Sequence, residues 1–223
     1  MSDSHGHSGH GHAGHDHAGH DHAGHDHAGH DGHGHGHVAG PVPDASVRRA
    51  RVNDAPAVGL VQSEVWRDSY AEIVPAEVLA TFEPQAFAGP WRESLSNPPE
   101  GVWTLLVACL GQQVVGFVAV GPSQDPDADE LAGEITTIAV HPAARRQGHG
   151  SRLLNAAVDI LREAGATSLG VWALTTQEDV QSFLRSSGIQ PDGAYRDRVV
   201  SPAGDTVREV RLTARLVDDA PAG

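Results

Sequence analysis

Lysine is absent from the 223 residues, so all 15 basic side chains are arginines, a bias that speaks of base composition more than of mechanism. Cysteine occurs once, at Cys109, which excludes an internal disulfide. Long apolar runs are missing too: those at 102–110 and 114–120 fall short of the roughly 20 residues that a membrane-spanning helix needs. The first residues offer neither a basic start nor an apolar stretch, so no secretory signal is expected and a cytoplasmic setting is. Positive charge is scarce. Against 29 acidic residues the arginines leave a formal net charge of −14, which speaks against nucleic acid or an anionic membrane as a partner.

Histidine is abundant and concentrated, with 14 of the 16 copies lying between His5 and His37. A five-residue unit, His-Asp-His-Ala-Gly, recurs from His15, His20 and His25, a period that fits neither a helix nor a solenoid. Without large apolar side chains such a segment cannot offset about 1–2 kcal/mol of backbone entropy per residue. Residues 1–46 are therefore expected to be a disordered tail and linker, and residues 218–223 a disordered C-terminus. Neutral imidazole is a common metal ligand, so His15, His17, His20, His22, His25, His27 and His30 are candidate ligands for zinc or nickel.

From Val47 the pattern is that of a mixed α/β domain reaching residue 217. A strand is expected from Val47, followed by a helix capped by Asn53 or Asp54 with Val58, Val61 and Val65 on one face. Two β-rich runs joined by Gly111-Gln112-Gln113 read as a hairpin, and a third runs from Glu134 to Val140. Leu153, Leu154, Ala157, Val158 and Leu161 recur at helical spacing, with Gly165 as a C-terminal cap. A strand from Ser168, a short helix ending at Gly188 and a hairpin turning at Ser201–Asp205 complete the order.

The most informative stretch is EITTIAVHPAARRQGHGSRLL, in which a strand passes through Arg145-Arg146-Gln147-Gly148-His149-Gly150 directly into a helix beginning near Ser151. Unpaired amides at a helix start carry the positive end of its dipole and bind anions. Gly148 and Gly150 remove side chains that would fence off the backbone, while Arg145 and Arg146 add charge-assisted donors.

At this point the chain resembles the GNAT superfamily of N-acetyltransferases, whose coenzyme loop reads Arg or Gln, two residues, Gly, one residue, Gly or Ala; Arg145, Gly148 and Gly150 match it. The strand ending Ile138-Ala139-Val140-His141-Pro142 is similar to the family's central strand, and Trp66-Arg67 with Tyr70 and Pro75 to a bacterial subgroup. The resemblance implies a mixed, twisted sheet of six or seven strands flanked by helices, its fourth and fifth strands parallel and splayed around acetyl-CoA. It implies that the backbones of Ile138 and Val140 meet the pantetheine, and that Arg145, Arg146, Gln147, Gly148, His149, Gly150 and Ser151 wrap the pyrophosphate.

The implied reaction moves an acetyl group to a primary amine, of a small molecule or of a peptide. Glu134, at the start of the fourth strand, is either the base or a solvated strand end, and alternation sets it on one face with Thr136, Ile138 and Val140. Where many members have a tyrosine acid, this chain has Leu184, which leaves a water or another hydroxyl such as Tyr70 or Tyr195 as the donor, an unassisted departure of the thiolate, or CoA binding without efficient turnover. Trp66 and Tyr70 are candidate acceptor contacts, and the acidic surplus favours a cationic acceptor. The competing expectation is a metal-buffering or sensing protein whose GNAT domain binds CoA with little turnover.

Overall fold

The computed structural model describes residues 45–217; the histidine repeats with their candidate metal ligands, and residues 218–223, lie outside the described residues. In chain order the elements are β1 (Ala45–Arg49), α1 (Ala55–Tyr70), α2 (Ala76–Leu79), α3 (Pro84–Ser96), β2 (Thr104–Leu110), β3 (Gln113–Pro122), β4 (Ala132–Val140), α4 (His149–Glu163), β5 (Ser168–Leu174), α5 (Glu178–Ser186), β6 (Gln190–Val199) and β7 (Thr206–Arg215). The seven strands form one sheet in the order β1-β2-β3-β4-β5-β7-β6. Each neighbouring pair is antiparallel except β4 with β5, the two strands that α4 connects.

Several boundaries move for local reasons. The first strand begins at Ala45 rather than Val47, because Ala45 and Ser46 still find partners in Leu110 and Cys109. Asp54 does not cap α1 through its side chain. Its carboxylate takes two bonds from Arg48, at 2.6 and 2.9 Å, and one from the Arg51 amide at 2.7 Å, tying β1 to the turn that enters the helix. The helix α4 starts at His149, two residues ahead of Ser151, because Gly148 in a left-handed conformation turns the chain directly into it.

Two apolar layers sandwich the sheet. On one face α4 and α5 bury Leu153, Leu154, Ala157, Leu161 and Leu184 against Val118, Ile135, Leu169, Val171 and Leu212. On the other, Val58, Val61 and Val65 of α1 cover Val107, Phe117 and Ala139, with Trp91 of α3 packed edge-on to Phe117. Each fully buried Leu or Val contributes roughly 1.5–3 kcal/mol of transfer free energy, so both layers are needed to hold the central strands.

The strand β4 is not regular. Its pairing with β3 runs from Val140 opposite Gly116 to Thr137 opposite Ala119, then resumes with Ile135 opposite Val120, leaving Thr136 bulged out. The extra residue resets the alternation. Ile135, Ile138 and Val140 therefore pack on the α4 side, whereas Ala139 packs on the α1 side. The expectation that Glu134, Thr136, Ile138 and Val140 share one face is overturned by this single bulge.

Candidate active site

The parallel pairing of β4 with β5 begins at Ala132 opposite Ser168 and stops at Ile135 opposite Val171. Both strands continue, β4 to Val140 and β5 to Leu174, without pairing to each other. The cleft thus opens where Thr136 bulges. His141 donates its amide to the Val115 carbonyl at 2.9 Å, so His141, Ala139 and Thr137 turn their backbone groups toward β3. Ile138 and Val140, in between, turn theirs into the cleft. The Val140 carbonyl meets the Arg145 Nε at 3.3 Å.

Below the cleft, Arg146 and Gly148 both adopt left-handed backbone, at φ 63° and 80°. Alternating hands in successive residues turn their amides inward and make an anion-binding nest. The first bond back into the nest's end is Arg152 N–H to the Gly148 carbonyl, 3.1 Å, which leaves the amides of His149, Gly150 and Ser151 facing out of the α4 N-terminus. Arg146, Gln147, Gly148 and Ser151 are exposed, and Arg145 ion-pairs with Asp68 of α1 at 3.2 Å. A Cβ on Gly150 would stand 3.6 Å from Phe183 and 3.9 Å from Val140, ordinary contacts, so nothing inside the protein demands glycine there. The bare backbone fits a ligand that must come close. His149 differs from its neighbours: its ring is buried, both nitrogens lack a protein partner, and burial lowers its pKa, with Arg152 adding to the effect.

Glu134 lies on the other face, buried, and accepts the Gln124 amide at 3.1 Å. Burial raises its pKa; the Gln124 bond and Arg196 oppose that, while Asp125 and Glu209 reinforce it. The cross-strand register carries this face outward: Glu134 sits beside Gly170, Trp172 beside Arg211, Leu174 beside Glu209, and Glu209 beside Arg196. The side chains are linked in sequence. Trp172 donates to the Asp125 carboxylate at 3.0 and 3.1 Å, the Arg196 guanidinium lies 4.3 Å from the Trp172 ring, and Glu209 holds Arg196 at 2.7 Å and Arg198 at 3.0 Å. Arg198 in turn donates to the Tyr70 hydroxyl. Gln124, Asp125, Trp172, Arg196 and Arg211 line a groove of about 360 Å³ there.

Of the two tyrosines, Tyr70 belongs to this face; it is buried, which raises its pKa against the pull of Arg198. Tyr195 does not. It pairs with Val210, which packs on the α4 side, and its exposed ring stacks with Arg208 at 4.7 Å. Trp66 is half-buried between the α1 layer and the Tyr70 cluster, edge-on to Phe87 at 6.3 Å, so it is largely packing. Leu184 is fully buried. Trp172, Arg196, Arg198 and Glu209 went unnoticed in the sequence.

The acetyltransferase (GNAT) family model matches residues 63–188. The chain belongs to that family. It is similar to the uncharacterized N-acetyltransferase YuaI of Bacillus subtilis (strain 168), 27% identical over 167 residues that cover 75% of this chain and 91% of YuaI. It is 26% identical to the mycothiol acetyltransferase of Amycolatopsis mediterranei over 52% of this chain and 43% of that protein. Among solved structures, the fold resembles yncA of Salmonella typhimurium with its cofactor acetyl-CoA, TM-score 0.58 at 17% identity, covering 80% of this chain and 98% of that one. It also resembles the ribosomal-protein-alanine N-acetyltransferase of Brucella melitensis, TM-score 0.59 at 21% identity, covering 76% and 99%. The seven-stranded sheet with its opened β4–β5 pair is thus a GNAT sheet. Among the described residues no helix of this GNAT domain is long and apolar enough to cross a membrane, and no cluster of His, Cys, Asp or Glu is set to hold a metal ion.

Proposed function

We propose that the domain transfers the acetyl group of acetyl-CoA to a primary amine, of a small molecule or a peptide, in a cytoplasmic setting. The observation that carries this is the cleft in which β4, at Ile138 and Val140, no longer pairs with β5, a few residues ahead of the nest at Arg146–Gly148. Arg145 to Ser151 would hold the pyrophosphate, and the two freed strand residues the pantetheine arm. Bound there, acetyl-CoA supplies an activated carbonyl.

The protein's part is to deprotonate, hold and reprotonate. Glu134, kept from easy ionisation by burial, would take the proton of the incoming ammonium through water. The amine nitrogen then bonds to the thioester carbon, the Val140 amide steadies the oxygen, and the carbon–sulfur bond breaks. Tyr70 is the tyrosine on the face of Glu134, and because Arg198 donates to its oxygen, its own proton is free to pass to the departing thiolate, to be replaced by the second proton that the nitrogen sheds as the amide forms.

Leu184 favours a second reading, coenzyme binding with little turnover beside a metal-loaded tail, since α5 offers no hydroxyl at that position. The two part in one experiment. Acetyl-CoA is titrated calorimetrically into the full chain and into Gly150→Glu, and thiol release is followed with a panel of amines. Loop-dependent binding with amine-dependent thiol release is expected; binding without release supports the second reading, and no binding by the wild type refutes both.

A further inference from the structure

Arg196 and Arg211 line the groove, Arg198 stands two residues from Arg196 on the same strand, and the three are not equally committed. Arg211 is consumed: Asp125, Asp127 and Asp192 hold it at 3.3, 2.8 and 2.7 Å, and its side chain is only 16% exposed. Arg196 and Arg198 share one carboxylate, Glu209, which is itself 7% exposed, while their own side chains stay 44% and 45% exposed. Arg196 gives Nε to Glu209, and its guanidinium carbon lies 4.3 Å from the centre of the Trp172 ring, so its two terminal nitrogens remain for a ligand. Asp125, Asp127 and Asp192 take up the charge of Arg211, whereas Arg196 and Arg198 have only Glu209 between them, so the cationic donors left over on the face of Glu134 are those two side chains.

We propose that the acceptor is an amine that also bears a carboxylate, of the amino-acid type, with its carboxylate received by Arg196 and Arg198 and its amine directed toward Glu134. This rests on the acetyl-transfer reading and names the substrate class of that site. Guanidinium groups two residues apart on one face of β6 can offer paired donors to a carboxylate, and Trp172, 4.3 Å from that of Arg196, limits where it can swing. Glu209 is then a positioning residue: buried and hydrogen-bonded, it holds both arginines in register without contacting the acceptor. The reaction itself is unchanged, one N–C bond forming as one C–S bond breaks.

The test uses matched acceptors. Free amino acids and their carboxamides, which differ only in the carboxylate charge, are offered with acetyl-CoA to the full chain, to Arg196→Gln and to Arg208→Gln, a hairpin arginine of the opposite face. Wild type and Arg208→Gln are expected to prefer the free acid in kcat/KM. In Arg196→Gln the ratio of free-acid to carboxamide kcat/KM falls by about tenfold to a hundredfold, mainly through the KM of the free acid, as expected for losing a charge-assisted bond. Thermal shifts of the CoA-saturated wild type with the same pairs give a readout that needs neither turnover nor a folded variant. Equal or better use of the carboxamides, or binding of neither member by a protein that binds acetyl-CoA, overturns the proposal and leaves the coenzyme reading standing. Failure to bind acetyl-CoA refutes the transferase reading and this proposal together.

Discussion

Glu134 shows how one carboxyl is readied by its surroundings. Removal from water is the main effect on it, and the neighbouring Asp125 and Glu209 push the same way, while a single backbone amide and Arg196 oppose them. As a base it must be ionised, so activity should climb as pH rises through this raised value and level off above it. Glu134→Gln is expected to lose that acid limb and about 10²–10⁴-fold in kcat, read from pH–rate profiles. Stability should respond with the opposite sign. Between the unfolded and the raised folded pKa the native state holds a proton that the unfolded chain has lost, so this contribution is full below the unfolded value and disappears as pH rises through the folded one. Glutamine, neutral throughout, should flatten that dependence in urea unfolding followed from acid to neutral pH. In the sequence Glu134 was visible as a strand-start carboxylate, but its setting was not. The hairpin expected to turn at Ser201–Asp205 closes one residue earlier, with Val200 bonded to Asp205, and only that closure sets Arg196 against Glu209 and Arg198 against Val207, the register that builds the polar chain; a turn over 201–205 would have set Arg196 against Val210. The link from Trp172 to Asp125 spans 47 residues and no local pattern carries it.

At the scale of elements, the cleft comes from a bulge and a turn acting at the two ends of the same stretch of chain. Thr136 takes β4 out of step where β5 leaves it, and the left-handed residues Arg146 and Gly148 then bring the chain round to the start of α4. The order of strands and helices was legible because each carries its own apolar period: Val58, Val61 and Val65 in α1, and Leu153, Ala157 and Leu161 in α4, all buried as that spacing implies. A bulge has no such period. Alternation read along 134–140 assumes that each residue has one partner, and one extra residue inverts every assignment after it. The two loop glycines should separate in experiment, because their reasons differ. Gly148 is held at φ 80°, where a Cβ would also approach Arg152 to 3.0 Å, so Gly148→Ala should destabilise the fold by about 1–2 kcal/mol. Gly150 has helical backbone and room for a Cβ, so Gly150→Ala should leave the unfolding midpoint nearly unchanged while weakening acetyl-CoA. Denaturation beside calorimetry on the two variants checks both, and equal stability losses would mean that Gly150 serves packing rather than the ligand.

Over the whole molecule, charge is divided unevenly along the chain. Ahead of Ala45 stand 14 histidines and six aspartates; after it come 23 acidic residues and 15 arginines, a balance of −8. Several arginines of the folded part are held in ion pairs, such as Arg48 with Asp54 and Arg208 with Asp197, and these side chains keep their charge at neutral pH. Imidazole titrates near pH 6.5, so as pH falls from 8 to 5 the first 44 residues should pass from about −6 to about +8 while the rest keeps its negative balance. The full chain therefore moves from −14 to about zero, and a chain lacking residues 1–44 stays clearly anionic over the same range. Capillary electrophoresis of the two proteins at both pH values reads the difference directly. The same histidines, once protonated, lose the lone pairs by which they would hold zinc or nickel, so metal retained by the full chain at pH 8 should be released near pH 5 and should be missing from the shortened one. If acetyl transfer is governed by the cleft alone, both proteins should turn over at equal rates with EDTA and with added zinc. A rate that follows the metal in the full chain and not in the shortened one would join the two halves of the sequence into one regulated enzyme.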